Sequence, residues 1–218
     1  MTAWPAPASW PVTLRCGALV LRPLERRDAA DWDEVRGRNQ AWLSPWDATS
    51  PPEAEQRIHT FADMVRSQTR MARDARSLPW VLAWDDGFPA RPARHPRLIG
   101  QVTVSGITWG SARSAFIGYW IDQRWAGHGL TPLGVALAAD FCFRTVRLHR
   151  LEIDILPENA PSHRVAAKLG FSPDGSRRSL LHISGAWRDH DAFVMTADQA
   201  PPSLVDRLLA GRPAPTSP

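Results

Sequence analysis

Ala115-Phe-Ile-Gly-Tyr-Trp-Ile121, then Asp122-Gln-Arg-Trp125, then Ala126-Gly-His-Gly-Leu-Thr131, then the run from Pro132 to Arg147 decide how this chain is read. The first seven residues are nearly all apolar, which suits a strand. The last segment carries Leu133, Val135, Ala136, Leu137, Phe141 and Cys142, so a helix there is apolar almost all round and belongs in a core. Between them, Gly127-His128-Gly129 leads directly into the helix. Backbone N–H groups in such a loop, with the positive end of the helix dipole behind them, hold a phosphate. Two common versions of that device fail on residue type. A dinucleotide loop needs a third glycine where Pro132 stands, and a P-loop needs Lys-Ser/Thr where Val135-Ala136 stand. Taken by itself, the loop also fits an ordinary tight turn before a core helix.

Upstream, apolar runs at Trp80–Trp84, Leu98–Trp109 and Ala112–Asp122 are separated by short turns, with a Pro/Arg/Gly loop at 85–97, and predict an antiparallel meander. Before them come a strand or short hairpin at Thr13–Leu24 with its turn at Gly17, a helix from an Asp28 cap to Arg38, and a helical run from Pro52 to Arg76 that includes Ile58. Downstream, the pattern predicts a strand over Arg150–Leu156 and a short helix over Pro161–Leu169 ended by Gly170. Two further β runs follow at Leu180–Ser184 and Ala192–Thr196, and a short helix at Leu204–Leu209. Residues 1–12 read as a Pro/Ala-rich arm, 13–197 as one domain and 198–218 as a tail with that short helix.

Composition limits the function classes. The chain has 218 residues with 44% hydrophobic and 22% charged, enough for one ordinary domain with a core. Its pI near 10.0 rests on a formal charge of only +4, because almost every basic residue is Arg and little titrates between His and Arg. Direct DNA binding is therefore not implied. No apolar stretch approaches the roughly 18 residues of a membrane span, and no signal peptide is recognisable, so a cytoplasmic protein is expected. Two cysteines, Cys16 and Cys142, cannot frame a disulfide scaffold, and the seven histidines show no metal-ligand spacing, so no metal is expected.

The order of these segments resembles the GNAT acyltransferases, and more narrowly the ribosomal-protein N-terminal acetyltransferases of the RimJ/RimL branch. The matching stretches are Leu21-Arg-Pro-Leu24, Leu43-Ser-Pro-Trp46, Ile117-Gly-Tyr-Trp-Ile121, Gly127-His-Gly129, Pro157-Glu-Asn-Ala-Pro-Ser162, Lys168-Leu-Gly-Phe171 and Ile183-Ser-Gly-Ala-Trp-Arg-Asp-His190. The resemblance implies an α/β fold: a mixed, mostly antiparallel central sheet of about seven strands, splayed between strands 4 and 5, with helices on both faces. It implies acetyl-CoA as cosubstrate and transfer of acetyl to a primary amine. The favoured acceptor is the N-terminal α-amine of a protein, such as a ribosomal protein. The alternatives are a small amine, such as an antibiotic or aminoacyl conjugate, and a non-catalytic acyl-CoA-binding protein. A monomer or a homodimer fits equally.

By the same resemblance, Ala126, Gly127, His128, Gly129, Leu130 and Thr131 surround the pyrophosphate. Ala126 takes the place of the usual Arg/Gln, and Arg124 or His128 compensates. Trp120 and Ile121 line the pantetheine, and Asn159 hydrogen-bonds it unless Asn159 is only a turn residue. Where many relatives place a tyrosine acid, this chain has Ala166, and its only tyrosine, Tyr119, is on the other strand. Ser162 is the candidate to stabilise the leaving thiolate, the competing reading being a helix cap. The acidic residue of RimL-like enzymes falls at Leu181, which leaves Glu152 and Asp154 as candidates to activate water, with Asp47 and Glu158 behind them. An N-terminal amine titrates near 8 and needs little help. Of Trp42, Trp46, Trp109, Trp120 and Trp125, one or two are expected in the acceptor cleft. Trp187-Arg-Asp-His190 is either an acceptor contact or a hydrogen-bonded corner, and Arg91, Arg94 and Arg97 form a candidate patch for an acidic partner.

Overall fold

A computed structural model describes residues 9–52 and 60–210. Eight strands form one sheet: β1 Leu14–Cys16, β2 Leu19–Pro23, β3 Leu78–Trp84, β4 Arg97–Thr108, β5 Ser114–Ile121, β6 Arg150–Ile155, β7 Ser172–Ile183 and β8 Ala186–Thr196. Their order is β1-β2-β3-β4-β5-β6-β8-β7. Every neighbouring pair is antiparallel except β5 and β6, the pair joined through the glycine loop and its helix. The expected seven strands become eight because Thr13–Leu24 is a hairpin, turned at Gly17 with a φ of +59°.

Among the described residues, six α-helices cover the sheet: α1 Ala29–Arg38, α2 Gln40–Leu43, α3 Phe61–Arg73, α4 Leu130–Phe141, α5 Ala160–Leu169 and α6 Leu204–Leu209. Along β5 and β6 the residues Ala115, Ile117, Ile121, Leu151, Ile153 and Ile155 pack with α4 and α5 in the main core. The opposite face carries α1 and α3, where Val35 and Val65 meet Val20, Val81, Ala83 and Leu98. Helix α4 lies so close to the sheet that a Cβ on Gly134 would stand 2.7 Å from Leu82 Cδ1. At the far end of α4, Asp140 accepts from the N–H groups of Leu204 (2.9 Å) and Val205 (3.2 Å) and from Ser203 Oγ (3.2 Å), which caps α6. In turn Arg207 of α6 donates to the Leu169 carbonyl at the end of α5.

Four expectations need correction. Asp28 does not cap α1 through its side chain. It is buried, receives both ends of Arg22 (2.7 and 2.9 Å) and the Glu25 N–H (2.7 Å), and so holds the turn that precedes the helix. Helix α3 begins at Phe61, because Thr60 is extended and its hydroxyl accepts from the Asp63 N–H; Ile58 of the expected start lies outside the described residues. Helix α4 starts at Leu130 and passes at Cys142 into a wider π turn that ends at Arg147, a non-glycine residue with φ +63°. Strand β7 begins at Ser172 rather than Leu180. Its first half, Ser-Pro-Asp-Gly-Ser-Arg-Arg, is polar, exposed and broken by register shifts, so it has no alternation to read.

Candidate active site

Strands β5 and β6 pair only at Ser114–Arg150, Ala115–Leu151 and Phe116–Glu152. Beyond that point they separate, and a cleft of about 450 Å³ opens in the gap. It runs from one face of the sheet to the other. On the α4/α5 face it is lined by Ala126, Gly127, Gly129, Leu130, Thr131, Asn159, Ser162, Arg164 and Lys168. On the α2 face it is lined by Trp42, Trp46 and Asp47, with Gln101, Tyr119, Trp120 and Ile121 from the sheet between them.

The glycine loop is shaped by the sequence around it. Gly127 and Gly129 have φ of +86° and +77°, values that side-chain-bearing residues adopt at a cost, and a Cβ on either would meet nothing within 4 Å. The first N–H groups of α4 have no carbonyl partner inside the helix. Pro132, which lacks an N–H, sits in that first turn where none is needed. The loop is anchored from behind. Asp122, fully buried, accepts from Arg38 Nη2 (2.5 Å), Asn39 Nδ2 (2.8 Å) and the Arg124 N–H (3.3 Å), while Asn39 Oδ1 accepts from the Gln123 N–H (2.8 Å). Burial works to raise the Asp122 pKa, but the bonds from Arg38 and Asn39 outweigh it and hold the group below its ordinary value. The end of α1 is thus bolted to the base of the loop. An open glycine cradle at the N-terminus of a twelve-residue helix suits an anionic pyrophosphate, and Arg164 and Lys168 one turn apart on α5 supply cations beside it.

Across the gap, Asn159 caps α5: its Oδ1 accepts from the Ser162 N–H at 3.2 Å. Ser162 itself is therefore a first-turn residue and not the cap, and its hydroxyl stands on a helix end that lines the cleft. The Tyr119 hydroxyl donates to the Ser162 carbonyl at 3.3 Å, which ties β5 to α5 across the splay. Burial pushes the Tyr119 pKa up to about 12, so the phenol keeps its proton at neutral pH. Tyr119 is on the other strand, β5, as the sequence implies. Only the splay, which brings the β5 end to the start of α5, puts them together.

The carboxylates separate sharply. Glu152 is buried and fully engaged by Arg150 (2.6 Å) and Arg177 (2.9 Å). Asp154, on the same face of β6, has its pKa raised to about 6, first by burial and then by the negative charge of Glu152, and its Oδ1 is buried without a hydrogen-bond partner. Neither residue lines the cleft itself. Glu158 is exposed, pairs with Arg188 and is held below its ordinary pKa, chiefly by a backbone N–H. Asp47 does line the cleft and pairs with Arg36 at 2.5 Å.

Other expected site residues stand elsewhere. Arg124 and His128 are exposed and outside the cleft lining, so nothing in the described residues has them replacing the side chain absent at Ala126. Trp42, Trp46 and Trp120 line the cleft, whereas Trp125 is buried against Trp84 and Trp109 donates to the Ala75 carbonyl. Trp187-Arg-Asp-His190 lies outside the cleft and is neither a corner nor a turn, because strand β8 begins at Ala186 and not at Ala192: Asp189 accepts from the Ser179 N–H (2.7 Å) and the buried His190 ring meets the Arg188 carbonyl (3.1 Å). Arg97 pairs with Asp86, while Arg91 and Arg94 are exposed. Among the described residues, one group has metal-ligand geometry, Asp28, Asp31 and His95, and Arg22 already occupies Asp28. No helix of the described residues is long and apolar enough to cross a membrane.

The family profile described as Acetyltransferase (GNAT) domain matches residues 18–172. The chain belongs to the GNAT acetyltransferases. Among curated proteins, this GNAT chain is 38% identical over 182 residues to a Bacillus subtilis protein named "Probable N-acetyltransferase YjcK", which covers 84% of this chain and 96% of the relative. It is 28% identical to the Escherichia coli [Ribosomal protein uS5]-alanine N-acetyltransferase, over 85% of this chain and 91% of that one. Among solved structures, Mycobacterium smegmatis RimJ in complex with CoA-disulfide superposes with a TM-score of 0.79 at 35% identity, covering 92% of this chain and 95% of that one. The eight-stranded α/β sheet with one parallel pair is that fold. The chain is an acetyl-CoA-dependent N-acetyltransferase, and the non-catalytic alternative is set aside.

Proposed function

We propose that this GNAT enzyme acetylates the N-terminal α-amine of a protein, with the alanine terminus of a uS5-type ribosomal protein as the first acceptor to try. The observation that carries the reading is the through-sheet cleft. Its cationic and glycine-loop side suits a cosubstrate pyrophosphate, and its tryptophan-walled side leaves an entry for an acceptor from the opposite face. The name of the Escherichia coli relative supports the choice of acceptor.

Acetyl-CoA supplies an activated acetyl thioester. The loop N–H groups from Gly127 to Thr131 bind its phosphates, Asn159 and the Trp120–Ile121 edge of β5 flank the pantetheine, and the Ser162 hydroxyl donates to the sulfur as negative charge develops there. Asp154, with a pKa near 6, takes the amine proton through water; Glu152, committed to two arginines, keeps that pKa raised instead of taking the proton. The test is thiol release from acetyl-CoA with a uS5 N-terminal peptide, an internal-lysine peptide and small amines. Turnover confined to small amines refutes the protein acceptor. In the same assay Ser162→Ala lowers kcat at least tenfold with acetyl-CoA affinity kept, and an unchanged kcat removes Ser162 from the mechanism.

A further inference from the structure

The two faces of the cleft carry opposite charge. Arg164 and Lys168 stand on the α5 side, and Asp47 is the one carboxylate among the described lining residues, on the α2 side that Trp42 and Trp46 also line. Asp47 already holds a cation, the protein's own Arg36, through Oδ2. The same guanidinium lies over the Trp120 ring, 5.1 Å from its centroid, and Trp120 is fixed by Trp32 edge-on at 5.5 Å and by its Nε1–H donating to Gln101 Oε1 at 3.2 Å. A carboxylate beside a tryptophan face is a cation-binding arrangement, and here its occupant is visible.

That occupant can be exchanged. The Arg22–Asp28 pair and the Arg38–Asp122 pair have carboxylates with 0% and 1% of their side-chain surface exposed. In the Arg36–Asp47 pair the exposures are 31% and 36%. A pair that open contributes little to stability, so an incoming cation can replace Arg36 at small cost. The segment that carries Asp47 is meanwhile held in place: the Thr49 N–H donates to the His182 carbonyl at 2.8 Å, and the Thr49 hydroxyl meets His182 Nδ1 at 2.7 Å. The site keeps its shape while the partner changes.

We propose that Asp47 selects acceptors by binding a positive charge they carry in addition to the amine that reacts, with that charge replacing Arg36. The inference rests on the cleft being the acetyl-transfer site. The second charge is needed because a carboxylate bonded to the reacting amine would hold it as ammonium, the form without a lone pair, and each unit of raised pKa removes tenfold of the nucleophile. Acceptors that fit are short diamines and peptides with a basic residue beside the terminal one.

The test uses matched acceptors that differ by one charge: Ala-Lys against Ala-Gln peptides, and 1,4-diaminobutane against butylamine. In the wild type the charged member has about tenfold higher kcat/KM, carried by KM. Asp47→Asn brings that ratio towards one, and Arg36→Gln, which removes the competing cation, raises it. If the wild-type ratio is already near one, the proposal falls while acetyl transfer stands. It falls equally if both variants shift the ratio the same way, because the pair is then only a scaffold. Discrimination in the amine pair with silent peptides supports Asp47 and refutes the protein acceptor. Silence with all four overturns both.

Discussion

Asp122→Asn changes one oxygen to an amide at the base of the glycine loop, and the size of its effect follows from the contacts there. The Asn39 bond survives, since the remaining oxygen can still accept at 2.8 Å, but the new NH2 faces the Arg38 guanidinium, donor against donor. A hydrogen bond to a charged group contributes about 1.5–3 kcal/mol, and a buried donor left without a partner costs about 1–3 kcal/mol more. Arg38 escapes part of that penalty because its side chain is 23% exposed and keeps Glu34 at 2.6 Å. A loss of about 2 kcal/mol follows, or roughly 4–8 °C in Tm for a chain of this size. The pH dependence gives a second handle. The folded pKa of Asp122 is depressed, so its contribution is fully present above the ordinary carboxylate value near 4 and disappears as pH falls through the lower folded value. Urea denaturation at pH 7 and in steps below pH 4 should show the gap between variant and wild type closing in acid. Repeating the pH 7 series with acetyl-CoA should show a smaller ligand-linked gain in the variant, because the loop is less well placed. A loss under about 0.5 kcal/mol, or one that does not change with pH, refutes the role given to this network.

Three further outcomes follow from the same structure. Gly134→Ala should be close to neutral, since the helix gains up to about 1 kcal/mol over glycine while the new methyl pushes the flexible end of Leu82; Gly134→Val should cost about 1–3 kcal/mol in denaturation experiments, as it adds two more carbons where the Cβ alone stands 2.7 Å from Leu82 Cδ1 and 3.4 Å from Val102 Cγ2. Gly129→Val should abolish the acetyl-CoA-linked rise in Tm while lowering the unliganded Tm only modestly, because the strain at φ +77° is local; an undiminished rise argues against the loop as the phosphate site. Asp154→Asn should gain stability relative to the wild type as pH rises. The native aspartic acid keeps its proton up to about 6 whereas the unfolded one loses it near 4, so wild-type stability falls between those values and the amide's does not. The same variant should lose turnover at neutral pH, and full turnover excludes Asp154 as proton acceptor.

The sheet from β3 to β6 and the loop into α4 were legible because each part has its own period or punctuation. Alternating or continuous apolar runs mark the strands, Gly127 and Gly129 mark the turn, and a wholly apolar stretch marks the central helix. Strand β7 was not legible because it is an edge, exposed and broken at Gly175 and Ser179, where no burial disciplines the residue types. The turn before α1 was misread for a different reason. Asp28 looks like a cap from its neighbours in sequence, but Arg22 and His95, brought in by the sheet, claim its carboxylate. At the site, glycines, Asn159 and Ser162 announce themselves by motif. Tyr119 beside Ser162, the tie from Arg38 and Asn39 to the loop, and the unequal fates of Glu152 and Asp154 come only from long-range pairing.

Helix α6 has six residues and buries little beyond Leu204, yet it is received by Asp140 at the end of α4 and reaches with Arg207 to the end of α5. It therefore works as a clip between the two helices that line one side of the cleft. The clip occupies Ser203 to Leu209. A tag fused after residue 210 leaves the clip in place, whereas proteolytic trimming at the Pro201-Pro202 segment removes it, frees both helix ends and should weaken cofactor retention before the sheet itself is disturbed.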